Sequence, residues 1–257
     1  VRAARNGSTG HYSGSLPGRN RFRRHHTGLN FFHNIQCDRI ESTGTRNVIC
    51  QKGIPIHCGF LEWGHIDITH HIVTPDDTLV VLDDSIVRGT TLRESIVTIL
   101  SRLNPKRIVI ASSAPPIMYP DCYGIDMSQL QGFIAFQAAV TLLADRGDAS
   151  LLDEIEADCL AQVDLPLDQL QNHVGRIYER FTPEEIQDQI AVLVRPTDLP
   201  WQGQLRIVYQ SVENLLAAMP EFTGDWYFTG DYPTPGGLRV LNRAFLNWRA
   251  GSDARAY

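Results

Sequence analysis

From Leu79 onward the spacing of apolar and polar residues predicts a sequence of compact elements. Leu79–Leu82 (LVVL) is an unbroken apolar run that stops at two adjacent aspartates. It reads as a fully buried strand, of the kind found in a parallel sheet covered on both faces. Leu92, Ile96, Ile99, Leu100 and Leu103 then fall at helical spacing and make one stripe. Asn104-Pro105 ends that helix, and Arg107–Ala111 (RIVIA) is a second buried strand. Strand, helix and strand form one βαβ crossover, expected to be right-handed. Upstream, His65–Val73 (HIDITHHIV) alternates enough for a strand or an extended approach, and Pro75-Asp76-Asp77 signals a turn.

Beyond the crossover, Tyr119–Asp126 is a turn-rich connection, and from Ser128 the pattern is almost wholly helical. Phe133, Phe136, Val140 and Leu143 share one face; Leu151, Ile155 and Cys159 share another. Thr182-Pro183-Glu184-Glu185 predicts a helix start, with Thr as cap, Pro in the first position and acids in the first turn. Leu205–Met219 reads as a further helix closed by Pro220. In the last forty residues Phe-Thr-Gly-Asp occurs at 222–225 and again at 228–231, among Trp226, Tyr227, Tyr232 and several Gly and Pro. Such a tail either lines a ligand pocket or is an irregular segment pinned to the core by its rings, and the second is the expectation.

The first sixty residues differ. Val1–Glu62 is basic and rich in Arg, His, Gly, Asn and Ser, with no sustained apolar period. RFRRHH (Arg21–His26) is either a phosphate-binding patch or a solvated arm, the latter being expected. Cys37, Cys50, His57 and Cys58 match no metal-ligand spacing. Asn6-Gly7-Ser8 fits a glycosylation acceptor but stands without a secretory signal. The expected organisation is therefore an atypical segment at 1–64, a core at 65–145, and a helical region with tail at 146–257.

Composition narrows the function class only a little. A net charge of −6 across 257 residues disfavours a general nucleic-acid binder. Five cysteines without a CxxC suggest neither a disulfide framework nor a zinc ribbon, and hence a reducing, cytoplasmic setting. No apolar run approaches the roughly 20 residues that span a bilayer, and no apolar signal core opens the chain. The starting Val suggests processing, a fragment or an incomplete reading of the gene.

The chemistry concentrates in LVVLDDSIVRGTT, Leu79–Thr91. A strand delivers Asp83 and Asp84, and a loop with Ser85, Arg88, Gly89, Thr90 and Thr91 opens the next helix. Backbone N–H groups in such a turn can hold a phosphate, helped by the helix dipole. Carboxylates just before it can accept hydrogen bonds from sugar hydroxyls or hold a hydrated Mg²⁺. The P-loop pattern, the Rossmann glycine pattern and the nucleophile elbow are all absent here. The bland reading has the acids merely capping the helix.

DDSIVRGTT resembles the phosphoribosylpyrophosphate-binding motif of the type I phosphoribosyltransferases. The wider VLDDSIVRGTTLRESI and IVIASSAPPIMYPDCYGIDM are similar to the amidophosphoribosyltransferase family, from about His65 to Tyr257. GDWYFTGDYPTPGG with LNRAF is similar to its Bacteroidetes-type branch. The resemblance implies an α/β fold: an incomplete phosphoribosyltransferase-like parallel sheet, a helical C-terminal region and an irregular aromatic tail. It implies that Asp83 and Asp84 bind the ribose hydroxyls and help place Mg²⁺, and that Ser85, Arg88, Gly89, Thr90 and Thr91 hold the 5′-phosphate. No catalytic residue is assigned. It further implies transfer of ammonia to phosphoribosylpyrophosphate in purine biosynthesis, a glutaminase domain as partner, and homo-oligomers, with neither nucleic acid nor membrane involved.

This sequence departs from that family upstream. The family's cysteine-led glutaminase segment, its pyrophosphate loop and its flexible closing loop are not recognisable in Val1–Glu62. The expectation is that this segment is foreign to the family, that the sheet lacks earlier strands and has an uncovered edge, and that this chain alone has little activity. Some relatives carry an iron–sulfur cluster, for which four suitably spaced cysteines are absent. The alternative is a non-catalytic phosphoribosylpyrophosphate-binding regulatory module, and behind it a purely structural remnant.

Overall fold

The computed structural model describes residues 36–42, 45–51, 73–122, 127–221 and 224–257. The extended approach expected at His65–Val73 lies outside these residues except for Val73. RFRRHH, Asn6-Gly7-Ser8, His57, Cys58 and the start of the first Phe-Thr-Gly-Asp copy lie outside them too.

Five strands form one sheet in sequence order. β1 (Gln36–Ser42) pairs antiparallel with β2 (Thr45–Gln51). β2 then runs parallel to β3 (Thr78–Asp83), β3 to β4 (Arg107–Ser112), and β4 to β5 (Gln204–Tyr209). The parallel α/β class read from the sequence is what the structure shows, with three corrections.

The edge expected to be bare beside β3 carries β2, from a segment whose three-residue apolar run (Val48–Cys50) is too short to announce a strand. Among the described residues the sheet is covered more fully on one face than on the other. Leu79, Val81, Ile108, Ile110 and Ile207 are buried, whereas the alternate residues Val80, Val109 and Val208 are only half-buried and Leu82 is 43% exposed. The helices pack on the first face. Finally, the helix expected over Leu205–Met219 is two elements. Leu205, Ile207 and Tyr209 alternate as β5, and Ser211 caps a separate short helix, α5 (Val212–Ala218), by accepting from the Asn214 N–H at 3.1 Å. Leu205, Val212, Leu216 and Met219 also fall near helical spacing, so the period alone did not separate the two readings.

The predicted crossover helix spans residues 90–101, but its first part, Leu92–Ile96, is wound as a π-helix before α1 (Val97–Ser101) resumes the α-helix. Asn104, in the left-handed region at φ 51°, turns the chain into β4. α2 (Ile134–Arg146), α3 (Ser150–Ala161) and α4 (Pro183–Val194) follow. The irregular part of the tail is short: α6 (Trp226–Thr229) and α7 (Pro235–Arg249) make the C-terminal stretch largely helical. Its aromatic part is pinned, as expected. The Tyr227 carbonyl accepts from the Met118 and Tyr119 N–H groups at 2.9 and 3.0 Å, Trp226 Nε1 donates to Asp121 at 2.8 Å, and Tyr178 Oη donates to the Met118 carbonyl at 2.7 Å. Burial among these rings pushes the Tyr119 phenol up to about 12. Among the described residues no helix is long and apolar enough to cross a membrane.

The start of α4 bears out its sequence signature. Thr182 accepts from the Glu185 N–H at 3.2 Å while Glu185 accepts from the Thr182 N–H at 2.8 Å, a reciprocal box. Thr182→Ala is expected to cost about 1 kcal/mol in urea unfolding at neutral pH. The Thr182 N–H, and then Arg146, hold the Glu185 carboxyl below its ordinary 4.5. Its folded value being the lower one, Glu185 stabilises the fold above 4.5 and loses that contribution as pH falls through the lowered value.

Candidate functional site

The strand–loop–helix turn places the seven sequence-predicted residues around one cavity. Asp83, Asp84, Ser85, Arg88, Gly89, Thr90 and Thr91 all line a cleft of about 460 Å³ at the carboxyl end of β3, with Met127 on the facing side. Ligands of open α/β sheets bind at this edge. A cavity of about 570 Å³ among α3 and α7, lined by Cys159, Gln162 and Asn242, contains none of these residues. The smaller cleft is the one with chemistry matched to the motif.

The two aspartates are set by the sheet. Asp83 ends β3, and its carboxylate accepts from the Asp84 N–H at 3.1 Å; Asp84 accepts in turn from the Ser85 N–H at 2.9 Å. The Asp84 carbonyl receives both the Ala114 N–H (3.1 Å) and Ser113 Oγ (3.1 Å), and the Asp83 carbonyl receives the Ser113 N–H (2.9 Å). The turn after β4 thus clamps the acidic pair. Asp84 is exposed and Asp83 half-exposed, so both present oxygen atoms to the cleft.

The loop is held from behind by the helical region. The Ile134 N–H at the start of α2 donates to the Val87 carbonyl at 2.8 Å. Gly89 has φ +71°, and a Cβ there would lie 2.9 Å from Val194 Cγ1 and 3.1 Å from Ile134 Cγ1. Only glycine meets both conditions without strain. Among the described residues the N–H groups of Gly89, Thr90 and Thr91 donate to no carbonyl or side chain, which leaves three donors in a row at the mouth of the cleft. The π-helix begins immediately behind them, and such turns often mark functional segments.

The sequence places the exit of the second strand, Ser112–Pro116, at the ligand edge but does not show Tyr209 in the second row of this site. Ser113, in the turn after β4, supports Asp84, and Tyr209, level with Ser112 on β5, lies close enough for Asp83's charge to act on it. Burial first and that charge second push the Tyr209 phenol well above its ordinary value. Reading the stretch Leu205–Met219 as helix hid Tyr209. Its alternation with Leu205 and Ile207 was the available signal.

The donor set suits a weakly held hard cation and no more. Two adjacent carboxylates offer oxygen ligands, but among the described residues no group of three or more His, Cys, Asp or Glu is arranged around a metal position. Such a pair could hold Mg²⁺ only with water and substrate phosphate completing its shell.

No family model matches the chain. Part of it is similar to curated amidophosphoribosyltransferases. It is 44% identical to that of Haemophilus influenzae over 70 residues, 27% of this chain and 14% of the relative. It is 38% identical to that of Bacillus subtilis over 101 residues (39% and 19%), and 36% identical to that of Schizosaccharomyces pombe over 89 residues (33% and 16%). The matched stretches thus span less than a fifth of the length of these relatives.

Proposed function

We propose that this chain carries the ribose- and phosphate-binding part of an amidophosphoribosyltransferase, which transfers ammonia to phosphoribosylpyrophosphate and forms 5-phosphoribosylamine at the entry to purine biosynthesis. The observation that carries this reading is the loop Asp83–Thr91: two carboxylates and three N–H groups without an acceptor among the described residues, around one cleft. The similarity to amidophosphoribosyltransferases supports it independently.

In this reading Asp83 and Asp84 accept hydrogen bonds from the ribose 2′- and 3′-hydroxyls. The N–H groups of Gly89, Thr90 and Thr91, the hydroxyls of Ser85, Thr90 and Thr91, and the Arg88 guanidinium bind the 5′-phosphate. Mg²⁺ held beside Asp83 and Asp84 would neutralise charge on the pyrophosphate leaving group. The protein's work is to fix the sugar and expose its anomeric carbon to ammonia, which bonds as pyrophosphate departs; neither aspartate needs to move a proton. The glutaminase domain of the longer relatives would supply that ammonia, and assembly into homo-oligomers goes with the same reading.

Asp84→Asn tests the site. Loss of a charged acceptor is expected to weaken phosphoribosylpyrophosphate binding by about tenfold or more in calorimetry with Mg²⁺ present. Unchanged affinity would sink the assignment. Tight binding with no turnover of added ammonium salt, in a chain extended to the length of the relatives, would favour a regulatory phosphoribosylpyrophosphate-binding module.

A further inference from the structure

The Tyr209 hydroxyl is a buried polar group with no partner. The residue is 9% exposed, and its oxygen is sealed from solvent without a hydrogen bond among the described residues. An unsatisfied buried hydroxyl costs stability, commonly about 1–3 kcal/mol, and such a group calls for an explanation. The oxygen is sealed from bulk solvent, and a protein group close by is the natural candidate for its partner.

The sheet register points to it. Asp83 is level with Ser112, and Ser112 with Tyr209, so the three stand side by side at the carboxyl edge on one face. Ser112 is small, and its Oγ is committed to its own strand, donating to the Ala114 carbonyl at 2.8 Å and accepting from the Ala114 N–H at 3.3 Å. It does not satisfy Tyr209. With neighbouring strands about 4.8 Å apart, a tyrosine two strands away reaches across a serine towards an aspartate. A tyrosine hydroxyl is a donor at neutral pH, and the register sets Asp83, an acceptor, on the same face two strands away.

We infer that Tyr209 is a positioning residue, whose hydroxyl donates to the Asp83 carboxylate when a sugar is bound and fixes its orientation towards the ribose hydroxyls. Tyr209 touches no ligand; it acts through Asp83. The inference rests on the ribose-binding reading of the cleft and adds the device that aims one of its two acceptors.

The test uses ribose 5-phosphate and inorganic phosphate as probes, titrated calorimetrically into the full chain and into Tyr209→Phe, Asp83→Asn and the double variant. Tyr209→Phe is expected to weaken ribose 5-phosphate by about tenfold while leaving phosphate affinity unchanged and the melting temperature equal or higher. In the Asp83→Asn background the same change is expected to have no further effect, because the pair acts as one unit. If Asp83→Asn weakens ribose 5-phosphate and Tyr209→Phe does not, the Tyr209 role is wrong and the cleft assignment stands. Additive losses, or a parallel loss of phosphate affinity, would show a general structural effect and equally overturn it. If the unaltered chain does not distinguish ribose 5-phosphate from phosphate, both readings fall.

Discussion

Replacing Gly89 with valine is expected to destabilise the fold by about 4 kcal/mol and to remove phosphate binding with it. Two separate costs combine. A β-branched residue at φ +71° bears a backbone strain of about 1–3 kcal/mol. Its Cβ would also lie 2.9 Å from Val194 Cγ1 and 3.1 Å from Ile134 Cγ1, and overpacking of this kind costs about 1–3 kcal/mol. Those neighbours belong to the last turn of α4 and the first residue of α2. Neither is a loose side-chain tip, since Val194 is 1% and Ile134 4% exposed. The loop therefore has to give way, and with it the N–H groups of residue 89, Thr90 and Thr91. Urea unfolding and phosphate titration measure the two effects. Adding Val194→Ala to Gly89→Val should relieve part of the contact cost but none of the backbone strain. Full recovery by that second change would mean that the left-handed turn is not required.

The loop was legible in the sequence because its chemistry is local. An apolar strand, two acids and a Gly-Thr-Thr turn are adjacent, and no tertiary contact is needed to see that they face one cleft. The cap of α4 was legible for the same reason, since Thr182 and Glu185 satisfy each other within one turn. What failed were readings that depend on the partner of a segment. Leu205–Met219 fits a helical period until β4 offers a place for β5, and only that pairing makes the alternation of Leu205, Ile207 and Tyr209 decisive. The apolar run Leu79–Leu82 suggested burial on both faces, yet whether Leu82 is covered depends on elements remote in sequence. Thr45–Gln51 is half polar and becomes a strand by pairing with β3. The second row of the site, Ser113 and Tyr209, belongs to this non-local class. Register brings Tyr209 level with Asp83 across Ser112, and the turn after β4 brings Ser113 to Asp84.

Phe136→Ala is expected to cost about 3–5 kcal/mol and to weaken phosphate binding although Phe136 is not in the cleft. Phe136 is fully buried on α2 and meets Trp248 of α7 edge-on, with ring centroids 4.8 Å apart at 88°. Deleting a buried phenyl group loses its transfer energy and leaves a cavity that the surroundings fill only in part. Trp248 would also lose its aromatic partner, worth about 0.5–1.5 kcal/mol beyond the area term. The consequence for the site follows from where α2 begins. Ile134, two residues before Phe136, holds the Val87 carbonyl through its N–H and packs against Gly89 through its side chain. Any shift of α2 into the cavity moves both supports of the Asp83–Thr91 loop together. Thermal unfolding reads the first effect, and phosphate titration well below the melting temperature reads the second. If the variant is strongly destabilised yet binds phosphate as well as the unaltered chain, the loop owes its shape to its own backbone and not to the helix behind it.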